Sequence, residues 1–228
     1  MGQMELHERI IGSKDWATVL FVLAFTLVAV NRNVFAVRFA EFSKLGWSNK
    51  YTKIYKDSAN MQSWFTISLF LVQVISFAFL LQFVLSSFGL AGIEGNPIFK
   101  TDWRTYIQLF TLLFVFILAK YLVEKIIATS FDIEEFSELF NLQKVNYRAY
   151  IGLLLLPVNV VLFYNDNINP VILYIVLVII VIASIASYIF SLRNYQNLIL
   201  GKIFYFILYL CALEIAPYYF MYYWFTKA

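Results

Sequence analysis

Glu214 is the residue best placed to do chemistry in this sequence. It stands in the run Tyr209-Leu-Cys-Ala-Leu-Glu-Ile-Ala-Pro217, inside a long apolar stretch, and the nearest charges along the chain are Lys202 and Lys227. A carboxylate at that depth costs about 2.5–3.5 kcal/mol on insertion scales, and each strongly apolar neighbour offsets about 0.3–0.6 kcal/mol of it. The stretch therefore inserts into a bilayer, and its carboxyl group must face something polar. Pro217 has no N–H for the Leu213 carbonyl, which leaves an acceptor beside the acid and a kink. Cys211 and Tyr218 follow the same face at helical spacing. Paired with Lys120, or less deeply with Glu124 and Lys125, Glu214 would lock two helices together. Unpaired, it would serve as a proton carrier or a ligand site, because ionisable groups inside membranes are functional candidates by default.

The remaining chemistry is notable for what it excludes. The single cysteine, Cys211, rules out an internal disulfide and a multi-cysteine metal site, and the single histidine, His7, rules out a histidine cluster or a haem held by two histidines. An aspartyl intramembrane mechanism needs two acids at depth, and the chain offers one. No P-loop, His-Glu-x-x-His, Gly-x-Ser-x-Gly or dinucleotide fingerprint is present in the sequence. No catalytic residue, metal or cofactor is therefore expected, and no nucleic-acid partner. Aromatic residues make up 20% of the chain, so flavin or quinone binding stays open. Other polar residues read as packing devices: Gln73 with Ser76, Gln82 with Ser86, Gln108 with Thr111, and a small-residue stripe of Ala183, Ser187 and Ser191. Gly152, Pro157 and Asn159 mark a segment expected to be broken or bent.

The elements that must carry these residues are membrane spans. The chain is 62% hydrophobic and 14% charged, against about 25% charged in a soluble domain. Its apolar runs predict an all-α, polytopic transmembrane bundle occupying residues 1–228 as one domain, with spans near 16–37, 64–90, 105–127, 146–164, 171–190 and 203–225. About twenty helical residues cross a hydrocarbon core of about 30 Å. Six spans follow, or five if the segment carrying Pro157 dips in and returns. Lysine and arginine are uneven across the gaps: twelve lie in 31–63, 120–150 and 191–202, and five in the others. The positive-inside rule then places both termini outside the cytoplasm.

Two gaps on the basic side are amphipathic. In residues 34–58, Phe35, Phe39 and Phe42 recur at helical spacing before a basic stretch with Lys50, Lys53 and Lys56. That pattern suits a helix lying against anionic lipid or a partner, and equally an ordinary positive-inside anchor. In residues 132–145, Asp132-x-x-Glu135 has capping-box spacing, and Ile133, Phe136 and Phe140 share a face opposite Glu134 and Glu138. An acidic helix is repelled by an anionic leaflet, so this apolar stripe is expected against protein, either the bundle floor or a partner.

The run Leu208-Tyr-Leu-Cys-Ala-Leu-Glu-Ile-Ala-Pro217, with Tyr147-x-x-Tyr-Ile-Gly-Leu-Leu-Leu-Leu-Pro157 upstream, resembles an uncharacterised integral membrane family of Bacteroidota, domain of unknown function 4271. The likeness covers most of the chain from the second span onward, and its most specific part is Cys-x-x-Glu-Ile-x-Pro. The resemblance implies a multi-pass bacterial inner-membrane bundle and directs attention to Glu214, Pro217, Gly152 and Pro157. It implies no activity, substrate or cofactor. Taken together, these features predict a non-enzymatic scaffold or assembly subunit of an envelope complex, with the lipid bilayer and other membrane proteins as partners. The alternatives are a small transporter or proton-coupled channel subunit built on Glu214 and, more distantly, a membrane-embedded enzyme.

Overall fold

The computed structural model describes residues 14–45, 63–88, 99–130, 134–165 and 170–194. Among them the regular elements are all helices: α1 (Asp15–Val34), α2 (Ala36–Ser43), α3 (Trp64–Ser87), α4 (Trp103–Ser130), α5 (Glu134–Tyr164) and α6 (Pro170–Asn194). Four of these, α1, α3, α4 and the Asn141–Tyr164 part of α5, are long and apolar enough to cross a membrane, and α6 contains the shorter apolar stretch Val171–Ser187. The all-α membrane architecture expected from the apolar runs is what the chain adopts. The expected span at 203–225, with Cys211, Glu214, Pro217 and Tyr218, lies outside the described residues, as do Lys50, Lys53, Lys56 and Asp132.

Local chemistry sets the boundaries. α1 closes at Phe35, whose φ of −118° and ψ of 46° leave the helical basin while its N–H still reaches the Asn31 carbonyl at 3.0 Å. The first span is therefore shorter than the expected 16–37, and the amphipathic segment restarts as the separate helix α2. At the start of α3, the Ser63 side chain accepts from the Thr66 N–H at 3.4 Å, a serine N-cap. α5 departs furthest from expectation. The acidic amphipathic segment and the fourth span form one helix of 31 residues, and that helix continues through Pro157. Proline is tolerated in membrane helices where local adjustment and neighbouring groups re-satisfy the freed carbonyl, and the Pro157 ring lies on an exposed face of α5. Gly152, Pro157 and Asn159 thus sit within an unbroken helix.

α3 is the centre of the bundle. It is apolar all round and buried along most of its length, as a helix surrounded by protein must be. Phe79 of α3 meets Phe21 of α1 (ring centroids 4.3 Å apart), Tyr106 of α4 (4.4 Å) and Phe163 of α5 (5.8 Å), so three neighbours pack on one ring. These contacts make α3 and α5 parallel, with α1 and α4 running the opposite way. The partners at the other end, Asn31 with Ser68 and Phe70 with Phe114, agree. Exposed tryptophans stand at opposite ends, Trp64 at the start of α3 (80% exposed) and Trp103 at the start of α4 (53%), where aromatic belts meet the headgroups. Near Trp103 the helix ends are tied together: Trp16 Nε1 donates to the Thr101 carbonyl (3.2 Å), Thr18 hydrogen-bonds the Tyr164 hydroxyl, and Lys100 Nζ donates to the Asn165 carbonyl (3.0 Å).

Candidate functional site

Among the described residues, two clusters of buried polar groups stand out. The first lies near mid-membrane, where α3 crosses α5. Gly152 makes that crossing close. A Cβ built on it would stand 2.8 Å from Gln73 Cα and 3.1 Å from Gln73 Cβ, below any normal carbon–carbon contact. Two turns further along α5, Asn159 is fully buried and its Nδ2 donates to the Ser76 carbonyl at 2.8 Å. Gln73 Oε1, Ser76 Oγ and Asn159 Oδ1 are buried in this seam with no hydrogen-bond partner. An amide donating to a main-chain carbonyl across a helix pair fixes register in lipid, where no hydrophobic force distinguishes one contact from another. Sequence reasoning singled out Gly152 and Asn159 as breakers; in the fold they are the contact that holds α5 against α3.

The second lies at the end of the bundle where α1 finishes and α3 begins. Glu124 of α4 is 5% exposed at its side chain, and Lys144 of α5 approaches it at 3.4 Å, with Lys120, one turn back on α4, at 4.0 Å. All three side chains are less than a tenth exposed. Lys120 and Glu124 follow Trp103 by 17 and 21 residues, or about 26 and 32 Å at 1.5 Å per residue, so the cluster straddles the far edge of a hydrocarbon layer of about 30 Å. Around it Asn141, Gln143, Asn146 and Tyr147 of α5 are buried as well. A buried carboxylate shared by two ammonium groups holds α4 and α5 in one arrangement, and removing either sign leaves an uncompensated charge. Lys120 was expected to pair with Glu214, which lies outside the described residues. Among the described residues Lys120 pairs with Glu124, at i,i+4 spacing, whereas Lys125 is exposed. Lys144 is not legible as a partner from sequence; its only signal is the polar run Asn141-x-Gln-Lys-x-Asn146 joined directly to a span.

The aromatic face of the first amphipathic segment turns inward. Phe42 and Leu45 are fully buried against Phe65, Tyr147 and Ala149, with Phe35 and Phe39 partly buried at the edge of the same cluster. Arg38 reaches back over this floor, its guanidinium 4.7 Å from the Phe65 ring centroid and its Nη1 3.3 Å from Ser63 Oγ. Among the described residues no group of three or more His, Cys, Asp or Glu side chains could hold a metal ion.

A polytopic helical membrane protein, with a close-packed aromatic centre and a buried ion cluster at its basic end, is the class that this fold defines. The chain belongs to the family described as a domain of unknown function (DUF4271), whose model matches residues 17–225. No curated protein matches it, and no solved structure does.

Proposed function

We propose that this protein is a non-enzymatic scaffold or assembly subunit of a larger envelope complex in a bacterial inner membrane, with both termini outside the cytoplasm. One observation carries the reading. Gln108 and Thr111, on one face of α4, are both exposed. They follow Trp103 by five and eight residues, or about 8 and 12 Å along the helix, which is hydrocarbon depth. Lipid tails offer an amide nothing to bond, whereas a second helix does, and small or polar residues on outward faces are where membrane helices associate. The same face of α4 continues through Val115 (57% exposed) and Leu122 (57%), giving a partner helix an apolar surface of several turns.

The test is capture in native membranes. Cysteines placed at Gln108 or Val115, in a Cys211→Ser background, should cross-link to another polypeptide, and gentle extraction into native lipid should bring that polypeptide along. A monomer that copurifies with nothing, and a Gln108 cysteine reached only by lipid-soluble probes, would overturn the reading. The orientation is checked with the same background: an impermeant thiol reagent applied from outside should label a cysteine at Asn167 and miss one at Glu135. The reverse pattern would invert the topology.

A further inference from the structure

Between α3 and α4, at the basic end, the bundle holds a cleft of about 190 Å³. Thr66, Ile67 and Phe70 form one wall and Ile117, Leu118 and Tyr121 the other, with Val145 of α5 between them. The lining is almost wholly carbon, and the cleft opens sideways, because Ile67 and Leu118 are each 40% exposed. Its residues on α3 follow Trp64 by two to six positions, or about 3–9 Å, so it lies in the outer part of the hydrocarbon layer at that end. One turn toward the headgroups both walls become cationic. On α4, Leu118, Tyr121 and Lys125 share a face, and Lys125 is exposed. On the α3 side, Ser63 lies one turn before Thr66 and Ile67 and holds the Arg38 guanidinium at 3.3 Å.

We propose that this cleft binds an anionic phospholipid of the adjacent leaflet, with one acyl chain along the cleft and the phosphate at Lys125 on the side that Arg38 approaches. Charge complementarity selects this occupant. A chain of methylenes fills an apolar slot that opens toward lipid, and its headgroup arrives at the level where the cations stand. A second copy of this protein would bring the same cations to the mouth and be repelled. The inference does not rest on the assembly reading, whose polar pair, Gln108 with Thr111, stands toward the other end of α4; Leu122, on that outward face, lies beside the cleft.

The experiment uses the full-length protein in nanodiscs assembled from equal amounts of palmitoyl-oleoyl phosphatidylglycerol and the matching phosphatidylcholine. Lipid that stays with the protein after detergent exchange is then quantified by mass spectrometry. One cation near the membrane surface corresponds to about a five-fold preference for the anionic lipid, and that enrichment is expected. Lys125→Ala should bring it down toward one, and Ile67→Trp, which fills the cleft, should reduce the retention of both lipids. Val123→Trp, half a turn past Tyr121 on the opposite, exposed face of α4, should behave as the unmodified protein. Three results would overturn the proposal: no enrichment in the unmodified protein, enrichment indifferent to both Lys125→Ala and Ile67→Trp, or a cysteine at Ile67 (Cys211→Ser background) that cross-links to residues 203–225 or to a second copy.

Discussion

Gly152→Ala is a substitution whose sign two physical effects dispute. In an exposed helix, replacing glycine with alanine stabilises by up to about 1 kcal/mol, because the backbone loses less entropy on folding. Here the new methyl group would sit 2.8 Å from the Cα of Gln73 and 3.1 Å from its Cβ. Carbon atoms rest at about 3.5–4.0 Å, so α3 and α5 must part locally by at least about 0.7 Å. The obstructing atom is main chain and cannot swing aside, so the whole crossing moves. Parting it would stretch the bond from Asn159 Nδ2 to the Ser76 carbonyl from 2.8 Å to the edge of hydrogen-bonding distance. Overpacking of this kind costs about 1–3 kcal/mol, and an interhelical hydrogen bond in a membrane contributes about 0.6 kcal/mol more. The clash should win, leaving the variant about 1–3 kcal/mol less stable. At about 2–4 °C per kcal/mol for a chain of this size, thermal unfolding in detergent should fall by roughly 2–12 °C, and Gly152→Val should fall further. Gln73→Ala should fail to rescue Gly152→Ala, since the Cα remains. An unchanged or raised midpoint would mean that helix propensity decides and that the two helices do not approach this closely. Rescue by Gln73→Ala would place the obstruction in the side chain and refute the argument as well.

Three further outcomes follow from the same seam and cluster. Ser76→Ala should be neutral or mildly stabilising by thermal melt, because the buried hydroxyl it removes has no hydrogen-bond partner; a loss above about 1 kcal/mol would show that the hydroxyl has one. Glu124→Leu should lower abundance and cost about 3–5 kcal/mol of stability, and Lys144→Met added to it should recover part of that loss; strict additivity in the double-mutant cycle would mean that the pair does not interact. At Glu214 the lock reading expects Glu214→Gln and Glu214→Leu both to lower abundance, with Lys120→Met partly restoring Glu214→Leu; normal abundance with lost function in both would favour a proton carrier instead.

The helical class was legible because apolar length is a direct readout of span, and the small set of membrane architectures does the rest. Boundaries were less so. Residues 132–145 read as an amphipathic segment packed against protein but separate from the span that follows, yet the fold also buries the polar side chains of Asn141, Gln143, Lys144 and Asn146 and the helix runs on. No glycine or proline stands between Glu134 and Tyr150 to stop it. The Lys120–Glu124 pair has local i,i+4 spacing, but in the sequence both residues read as partners of Glu214; Lys144 was not legible, because it reaches Glu124 only through the register of α5 against α4. Gln82 shows the same limit. Its sequence neighbour Ser86 suggests an interhelical pair, whereas its Nε2 donates to two loop carbonyls, those of Phe99 (3.0 Å) and Asp102 (2.8 Å). Gly152 and Pro157 carry different roles that composition cannot distinguish: the glycine lies buried at a close crossing, and the proline ring lies on an exposed face.

Membrane helices gain little from apolar contact with one another that lipid would not also give, so the order of a bundle must come from shape and from polar bonds. α3 shows how few are needed. Toward α1 it offers Ser68, bonded to Asn31 at 2.7 Å; toward α5 it offers the Ser76 carbonyl, taken by Asn159; toward the loop before α4 it sends Gln82. Each neighbour is fixed by one polar contact at a different height. A slip of α3 by one residue would turn its side chains by about 100° and strand all three contacts in an apolar surround, at a cost no aromatic repacking recovers. Among the described residues, register is thereby specified without any charge in the middle of the bundle. The ion cluster of Lys120, Glu124 and Lys144 then closes the end where water is nearest and the cost of holding charge is lowest. By the same reasoning, a polar pair that the fold leaves turned outward, Gln108 with Thr111, is the place to look for the next helix.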